Sequence, residues 1–566
     1  MLVVDDPALL AAWNASDLAF AKVALGPEAA ADRNLAALAV RPDMKLVLDA
    51  VRADLEAAAK KDPKSGIGLR YSHRRFDPAW LTSAESTLVL VAIVNRPDRQ
   101  PFASSHCGET RLVYRLQYGT FLLPMTWNAV FWQDPDAGQT CADVARRWLA
   151  SGNLATAERA KAAVTTAVLG RAIRVRLKSL ETNVQTVRWP SSVRGDLGGH
   201  AEYSLRAFHS DAAGPLRKAL LENTPDVEAM RHLPSGKGVL LQWLRDPANL
   251  AAIDRGVVRV PDKFLATQAT SVTPHGFGRL TNRPWRQVFG VGDFAGVPLQ
   301  KLENLRTPAG LLRRLDSLTC QGCHQSRSVA GFHITGRQPS GTPDGLDIAV
   351  SPHLHGLLPF RAQASQWLTG AMTTPSPAVP HAELPTTIGR MGDHCGLGDP
   401  AFAGWGCGPG LRCVSVGDPE VGTCAPEKPR LGSPCDAGPL SADPDAHRDG
   451  RTTKGKTVCQ AGGFCESAFA GFPGGICAGS CDASNPAAAC AAIPIFSSFN
   501  ACLARGLPFS RCAAENHNKK AMPVCSPGAP CRDDYVCTPG PDGQSTCMPP
   551  YFLLQLRVDG PRKVTK

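Results

Sequence analysis

Thr110-Arg111-Leu112-Val113-Tyr114-Arg115-Leu116 alternates polar and apolar side chains, and Phe121 to Trp132 follows it across Tyr118-Gly119. A period of two is the mark of a strand with two unlike faces, and the short link predicts a hairpin. Upstream, Leu88-Val89-Leu90-Val91-Ala92-Ile93-Val94 is a continuous apolar run, which reads as a buried strand. Downstream, Arg171 to Leu177 alternates with one basic face, and Glu202 to Phe208 alternates again. Helical spacing appears at Ala142 to Ala150, at Thr156 to Leu169, and from Val239 to Leu244. Residues 65–306 are therefore expected to form an α+β domain on a mainly antiparallel sheet.

Residues 1–64 read as helical. Asp5-Asp6 supplies a cap for Pro7 to Trp13, apolar residues recur at helical spacing from Met44 to Ala59, and Lys60-Lys61-Asp62-Pro63-Lys64 ends the run. Between the first strands, His106 and Glu109 flank Cys107 and could serve as ligands or acid/base groups, although a loop histidine beside a cysteine is more often structural. The chain carries no dinucleotide fingerprint, phosphate-binding loop, nucleophile elbow or zincin motif. The α+β region thus offers no catalytic constellation of its own, and its role is left unassigned.

The chemically decisive motif is Cys320-Gln321-Gly322-Cys323-His324. Two thiols two residues apart can each add to a vinyl group on one porphyrin edge, and the next histidine can ligate the iron. Leu311 to Leu318 reads as an amphipathic helix leading into it, and Gln325 to Ser328 is polar. Here the sequence resembles the c-type cytochromes, over the motif and its surroundings and not over the whole chain. The resemblance implies one covalent haem c, with Cys320 and Cys323 in thioether links and His324 as axial ligand, and a role in electron transfer. A structural disulfide, a zinc half-site and a redox dithiol are the other readings of the same cysteines. No second ligand pair at close spacing supports zinc, and no βαβ pattern supports a thioredoxin-like site.

The haem-binding segment is expected over 307–391, small and mostly α. Met372, His353 or His355 are the leading candidates for a sixth iron ligand; His333 and Met391 are further ones, and an open sixth position is the remaining option. Methionine ligation would favour electron transfer at raised potential, whereas an open site would permit peroxide or small-ligand chemistry. Ala371 to Thr387, rich in Pro, Thr, Ser and Ala, reads as a linker.

Residues 392–566 form a disulfide-rich tail. Of 20 cysteines in 566 residues, 16 lie from Cys395 onward. Cys407, Cys413 and Cys424 share their spacing with Cys459, Cys465 and Cys477 and with Cys531, Cys537 and Cys547, and each triplet has an upstream cysteine: Cys395, Cys435 and Cys525. Units this small cannot bury enough apolar surface alone, so two disulfides each are expected. Cys481, Cys490, Cys502 and Cys512 make a fourth set. The tail is read as an arm binding another protein or the cell surface, or as a stable spacer.

Dense, even cysteines indicate an oxidising compartment, and haem c attachment implies the same. An extracytoplasmic location (periplasm, cell surface or secreted) follows as the expectation. The opening Met1 to Asp6 carries no secretory pattern, so an export signal is expected upstream of the given start. No apolar run is suited to span a membrane. The net charge is +11, and residues 151–340 hold 26 Lys+Arg against 14 Asp+Glu. That surplus could pair with haem propionates or steer an acidic redox partner; a solvated basic face is the plainer reading. With no Lys/Arg run and no zinc-finger spacing, nucleic acid is excluded as a partner. Two other functions stay open: a secreted binding or adhesion protein without haem, and a haem-dependent peroxidase-like oxidoreductase.

Overall fold

The structure is a computed structural model that describes residues 3–15, 18–29, 31–61, 65–67, 73–103, 105–119, 121–151, 177–189, 200–210, 214–232, 234–273, 280–325, 358–372, 394–415 and 420–426, with 454–458, 464–466, 476–478, 511, 515, 524–526, 536–539 and 544–548 of the tail. The expected helix at Thr156 to Leu169 and all but the last residue of the strand at Arg171 to Leu177 lie outside these residues.

A ten-stranded sheet dominates. Its main path runs β1 (Val3–Val4), β4 (Ser86–Arg96), β5 (Glu109–Tyr118), β6 (Phe121–Trp132), β7 (Leu177–Trp189), β8 (His200–His209) and β10 (Ala269–Thr273), every pair antiparallel. β2 (Ser65–Gly66) and β3 (His73–Arg75) join β7 beyond the end of β6, and β9 (Arg217–Ala219) joins β8. Only β2 and β3 pair in parallel within this sheet. The expected β5–β6 hairpin forms, with Tyr118 opposite Phe121.

Alternation along the strands gives the sheet two unlike faces. One carries Leu112, Tyr114, Leu116, Met125, Trp127, Ala129, Leu180 and Val184, all buried. Four helices cover it: α1 (Pro7–Asn14), α2 (Phe20–Leu25), α3 (Leu35–Ala39) and α4 (Pro42–Lys61). Asp6 caps α1 by accepting the Leu9 N–H at 2.8 Å, and Asn34 caps α3 through the Ala37 N–H at 2.8 Å. Asp54 of α4 accepts two bonds from the Arg206 guanidinium of β8, at 2.8 and 2.6 Å, which fixes the helix on the sheet. The middle of β4, Leu88 to Val94, is apolar on both its sides, and a bulge at Val91 re-aims its second half.

The opposite face is polar yet buried. Glu109 is fully buried and meets Arg99 (3.3 Å), Arg111 (2.9 Å) and Lys178 (2.6 Å). Lys178 reaches it from a bulge in β7, between Val130↔Ser179 and Phe131↔Leu177. Arg111 also meets Glu181 at 3.0 Å, and Arg99 meets Glu222 at 2.5 Å. Beside them Asp98 holds Arg96 at 2.9 Å and Arg361 at 2.7 Å. Arg361 comes from α12 (Leu358–Leu368), which packs across α5 (Cys141–Ser151) and the short turn at Pro97–Phe102. A Cys107–Cys141 disulfide ties α5 to the start of β5.

A second apolar cluster lies in α6 (Val227–His232), α7 (Pro234–Arg245), α8 (Pro247–Arg255), α9 (Pro284–Val288) and α10 (Pro308–Ser317), from Met230 through Ile253 and Trp285 to Leu315. Residues on both sides of 306/307 share it. α11 (Cys320–Gln325) follows α10 directly and packs on β10.

The first cysteine set of the tail forms two disulfides, Cys395–Cys413 and Cys407–Cys424, around β11 (His394–Gly396), β12 (Leu411–Ser415) and β13 (Val421–Pro426). It docks on the helical cluster. Buried Glu420 pairs with Arg286, Asp399 accepts from the Thr307 hydroxyl at 2.8 Å, and the Arg313 guanidinium lies 5.6 Å from the Phe402 ring centroid. Further along, Cys465↔Cys477 and Cys537↔Cys547 repeat the cross-strand placement of Cys413↔Cys424. No helix among the described residues is long and apolar enough to cross a membrane.

Burial raises the Glu109 pKa, but Lys178, Arg99 and Arg111 outweigh it and hold the carboxyl well below its ordinary value. A depressed folded-state pKa contributes stability above the unfolded value and loses it as pH falls. Stability is therefore expected to decline as pH drops below about 4.5, the ordinary glutamate value. Glu109→Gln strands three cations, and a loss of about 3–5 kcal/mol is expected at neutral pH by urea unfolding, with a flatter acid limb.

Candidate functional site

α11 places Cys320, Cys323 and His324 in little more than one turn. It starts tightly. Thr319 donates its hydroxyl to the Asp316 carbonyl at 2.7 Å and accepts the Gly322 N–H at 3.0 Å, while Thr224 accepts the Cys320 N–H at 2.9 Å. Gly322 is required at this joint: a Cβ there would stand 1.9 Å from the Asp316 carbonyl oxygen. That close approach lets α11 turn directly off α10 and lie on the polar sheet face.

Neither Cys320 nor Cys323 is in a disulfide, and both are half-buried. By contrast, Cys107, Cys141, Cys395, Cys407, Cys413, Cys424 and Cys525 are all disulfide-bonded. Burial and the Glu181 charge push the Cys320 thiol well above its ordinary pKa, with only Thr224 acting in the other direction. A thiol held protonated is a poor nucleophile at neutral pH, which argues against a thioredoxin-like role.

His324 is 8% exposed and sits against the sheet. Its Nδ1 lies 2.9 Å from Ser271 Oγ of β10, its Nε2 3.2 Å from Asn183 Nδ2 of β7, and its ring centroid 4.9 Å from that of Tyr203 on β8. With the Asn183 amide N–H facing it, Nε2 accepts and Nδ1–H donates to Ser271. Turning the amide over would let Asn183 Oδ1 accept from Nε2–H instead. As placed, Asn183 Oδ1 is buried with no partner, so the contact is not a fully satisfied lock.

The charges of the polar face surround the motif. Burial, with Arg96 adding repulsion and Asp98 opposing it, pushes the Arg361 pKa down to about 9. Its Nε is buried without a partner. The Asp98 carboxyl, which burial alone would raise, is held below its ordinary value by Arg361 and Arg96. Behind the motif, burial raises the Asp316 carboxyl to about 7 against the pull of Arg286 and of the Trp285 N–H, which it accepts at 2.8 Å.

As a donor set, two thiols outside any disulfide and one imidazole on a single turn suit a covalently held haem. The buried arginines suit its carboxylates, and Ser271 can orient the imidazole. Ligation of a metal through Nε2 would require the Asn183 amide, 3.2 Å from that nitrogen, to give way.

Met372 is half-buried just beyond α12. His333, His353, His355 and Met391 lie outside the described residues. His106 pairs with Asp134 at 2.5 Å and stacks on Trp132 at 4.6 Å, an arrangement away from α11. Glu109, expected in a polar connection, opens β5 and belongs to the buried ionic network. The sulfurs of Cys395, Cys407 and Cys413 cluster within 4.8 Å, but all three are consumed by disulfides. The residues that sequence reasoning missed are Asn183, Ser271, Tyr203 and Arg361; none stands in a local motif.

Comparison with protein families, curated proteins and solved structures gives no match.

Two outcomes test this geometry. Gly322→Ala drives a methyl into backbone and is expected to lower stability by roughly 1–3 kcal/mol in thermal or urea unfolding. For Asp316 the folded pKa of about 7 lies above the ordinary 3.8, so the folded state binds the extra proton. Stability is then lost as pH rises from about 4 to about 7, and Asp316→Asn should flatten that slope.

Proposed function

We propose that the chain is an extracytoplasmic monohaem c-type protein, with haem linked through Cys320 and Cys323 and its iron ligated by His324 Nε2. One observation carries this reading. Cys107, Cys141, Cys395, Cys407, Cys413, Cys424 and Cys525 are disulfide-bonded, while the two cysteines of the motif are not, and those two share one helical turn with a histidine. Once bound, a haem would supply a one-electron couple. The chain's own part is to hold and orient: Ser271 sets the imidazole, Gly322 permits the close packing of α11, and Arg361 and Arg96 offer positive charge to carboxylates. Electron transfer, with an acidic redox partner steered by the basic surplus of residues 151–340, is the favoured role. The disulfides fit an oxidising compartment, and the tail is proposed to bind a protein or the cell surface.

A second reading, a haem-dependent peroxidase-like oxidoreductase, is favoured by the polar character of the face that Nε2 addresses. Asn183, Asn128, Glu181 and Arg111 share that face, with Asn128 3.3 Å and Arg111 3.0 Å from Glu181. Such a face suits polar chemistry better than an apolar electron-transfer crevice does. The sixth ligand divides the two readings: Met372, His353 or His355 for a carrier, an open position for an enzyme.

The test is substitution in a host that matures haem c. Wild-type protein should stain for haem on a denaturing gel, and Cys320→Ala/Cys323→Ala should not. Retained staining in the double variant would remove covalent attachment through these residues.

A further inference from the structure

The first disulfide unit rests on the helical cluster at three points. Thr307 donates its hydroxyl to the Asp399 carboxylate at 2.8 Å, the Arg313 guanidinium lies over the Phe402 ring, and the Arg286 guanidinium pairs with Glu420. Only the third sets one full charge against another, and it does so under cover: Glu420 is 3% exposed.

Arg286 has a second carboxyl beside it. Asp316 of α10 is fully buried and accepts, through Oδ1, the N–H of Trp285, the residue before Arg286, at 2.8 Å. Its Oδ2 is buried without a hydrogen-bond partner, and so is Arg286 Nε. One is an acceptor and the other a donor, both left unmatched while the far end of the guanidinium is committed to Glu420. A turn of the Arg286 side chain toward Asp316 would serve both and abandon Glu420. The charge on Asp316 decides between the two arrangements. A neutral carboxyl draws the cation weakly, whereas a carboxylate at full burial needs it.

The charges that bear most on Asp316 are Arg286 and Arg283; both favour ionisation, and burial outweighs them, which raises the carboxyl to about 7. Arg313 and Arg314 on its own helix turn elsewhere, to Phe402 and to the carbonyls of Ile253 and Asp254. α11 offers His324, which faces Ser271 and Asn183. From the disulfide unit the relevant group is Glu420, which acts on Asp316 through the cation between them.

We propose that Arg286 is a proton-controlled latch: it holds the first disulfide unit through Glu420 while Asp316 is neutral, and yields to Asp316 when that carboxyl ionises. Linkage gives the sign. Release of the unit frees Arg286 to stabilise the carboxylate, so the released state has the lower Asp316 pKa, and raising the pH through about 7 favours release. Thr307 and Arg313 keep their contacts, which limits the effect to a loosening. The latch operates whether or not haem is bound. It lies at the root of the cysteine motif, because the Asp316 carbonyl accepts the Thr319 hydroxyl at the turn into α11.

The test is amide hydrogen exchange of the full chain at about pH 6 and about pH 8, corrected for intrinsic rates, with peptides of the first disulfide unit read by mass spectrometry. A unit this small depends on what it docks against for buried surface, so loosening shows as exchange. Wild-type protein is expected to exchange about tenfold faster in this unit at the higher pH, the effect of a one-unit difference in Asp316 pKa between held and released states. Asp316→Asn keeps the acceptor for the Trp285 N–H and cannot ionise, so it should stay at the slow rate at both pH values. Glu420→Gln weakens the hold itself and should exchange fast at both. Equal corrected rates in the wild type would overturn the latch, and so would a wild-type rise in Asp316→Asn. Slow exchange of Glu420→Gln at the lower pH would overturn it as well, by showing that Arg286 is not what holds the unit. Should Asp316→Asn fail to fold, the wild-type and Glu420→Gln profiles decide alone.

Discussion

Everything on the polar side of the sheet depends on how Glu109 is neutralised. A carboxylate at full burial is tolerable only when its charge is matched at hydrogen-bond distance. Here the match comes from three places in the chain: Arg99 in the turn after β4, Arg111 on β5 and Lys178 from a bulge in β7. Those cations bring further anions with them, Glu222 and Glu181, and the neighbouring Asp98 brings Arg361 on α12. The network thereby fixes the order and register of the central strands and draws α12 over them. An apolar face could slide in register at modest cost; this one cannot without stranding a charge.

The same constraint shapes the setting of the cysteine motif. α11 does not lie on a greasy surface. It sits between an ionic network and the end of the helical cluster, with His324 held among Asn183, Ser271 and Tyr203. Asp316 and Arg286 sit at the joint between α10 and the sheet, and Arg286 reaches onward to Glu420 of the first disulfide unit. That unit is thus part of the support behind the motif, whatever the rest of the tail does. The cysteine motif, the sheet charges and the first disulfide unit are linked through a few buried polar groups, so a change of charge at one is felt at the others.

The local part of this architecture was legible in the sequence. The period-two run at Thr110 to Leu116 marks the hairpin, the apolar run at Leu88 to Val94 marks a strand covered on both sides, and Asp6 before Pro7 marks a helix start. The cysteine motif is visible because its chemistry requires adjacency. The ionic face was not legible. Arg111 looks like the solvent side of an alternating strand and Glu109 like part of the connection before it, and only the register across β5, β6 and β7 shows that this side is buried. Asn183 and Ser271 meet His324 across 141 and 53 residues, separations that no local pattern encodes. Leu305 and Leu311, on either side of 306/307, share one cluster, a packing that no local pattern in the sequence displays. Gly322 reads as an arbitrary residue between two cysteines until the Asp316 carbonyl is seen beside it.

The central claim is covalent haem on α11, and a pyridine haemochrome spectrum of protein exported in a haem c-maturing host tests it most directly. The account predicts the α band characteristic of two thioether links, at one haem per chain. Full-length, folded protein with no haem signal would contradict it, and Cys320 and Cys323 would then be two half-buried thiols in a disulfide-rich binding protein.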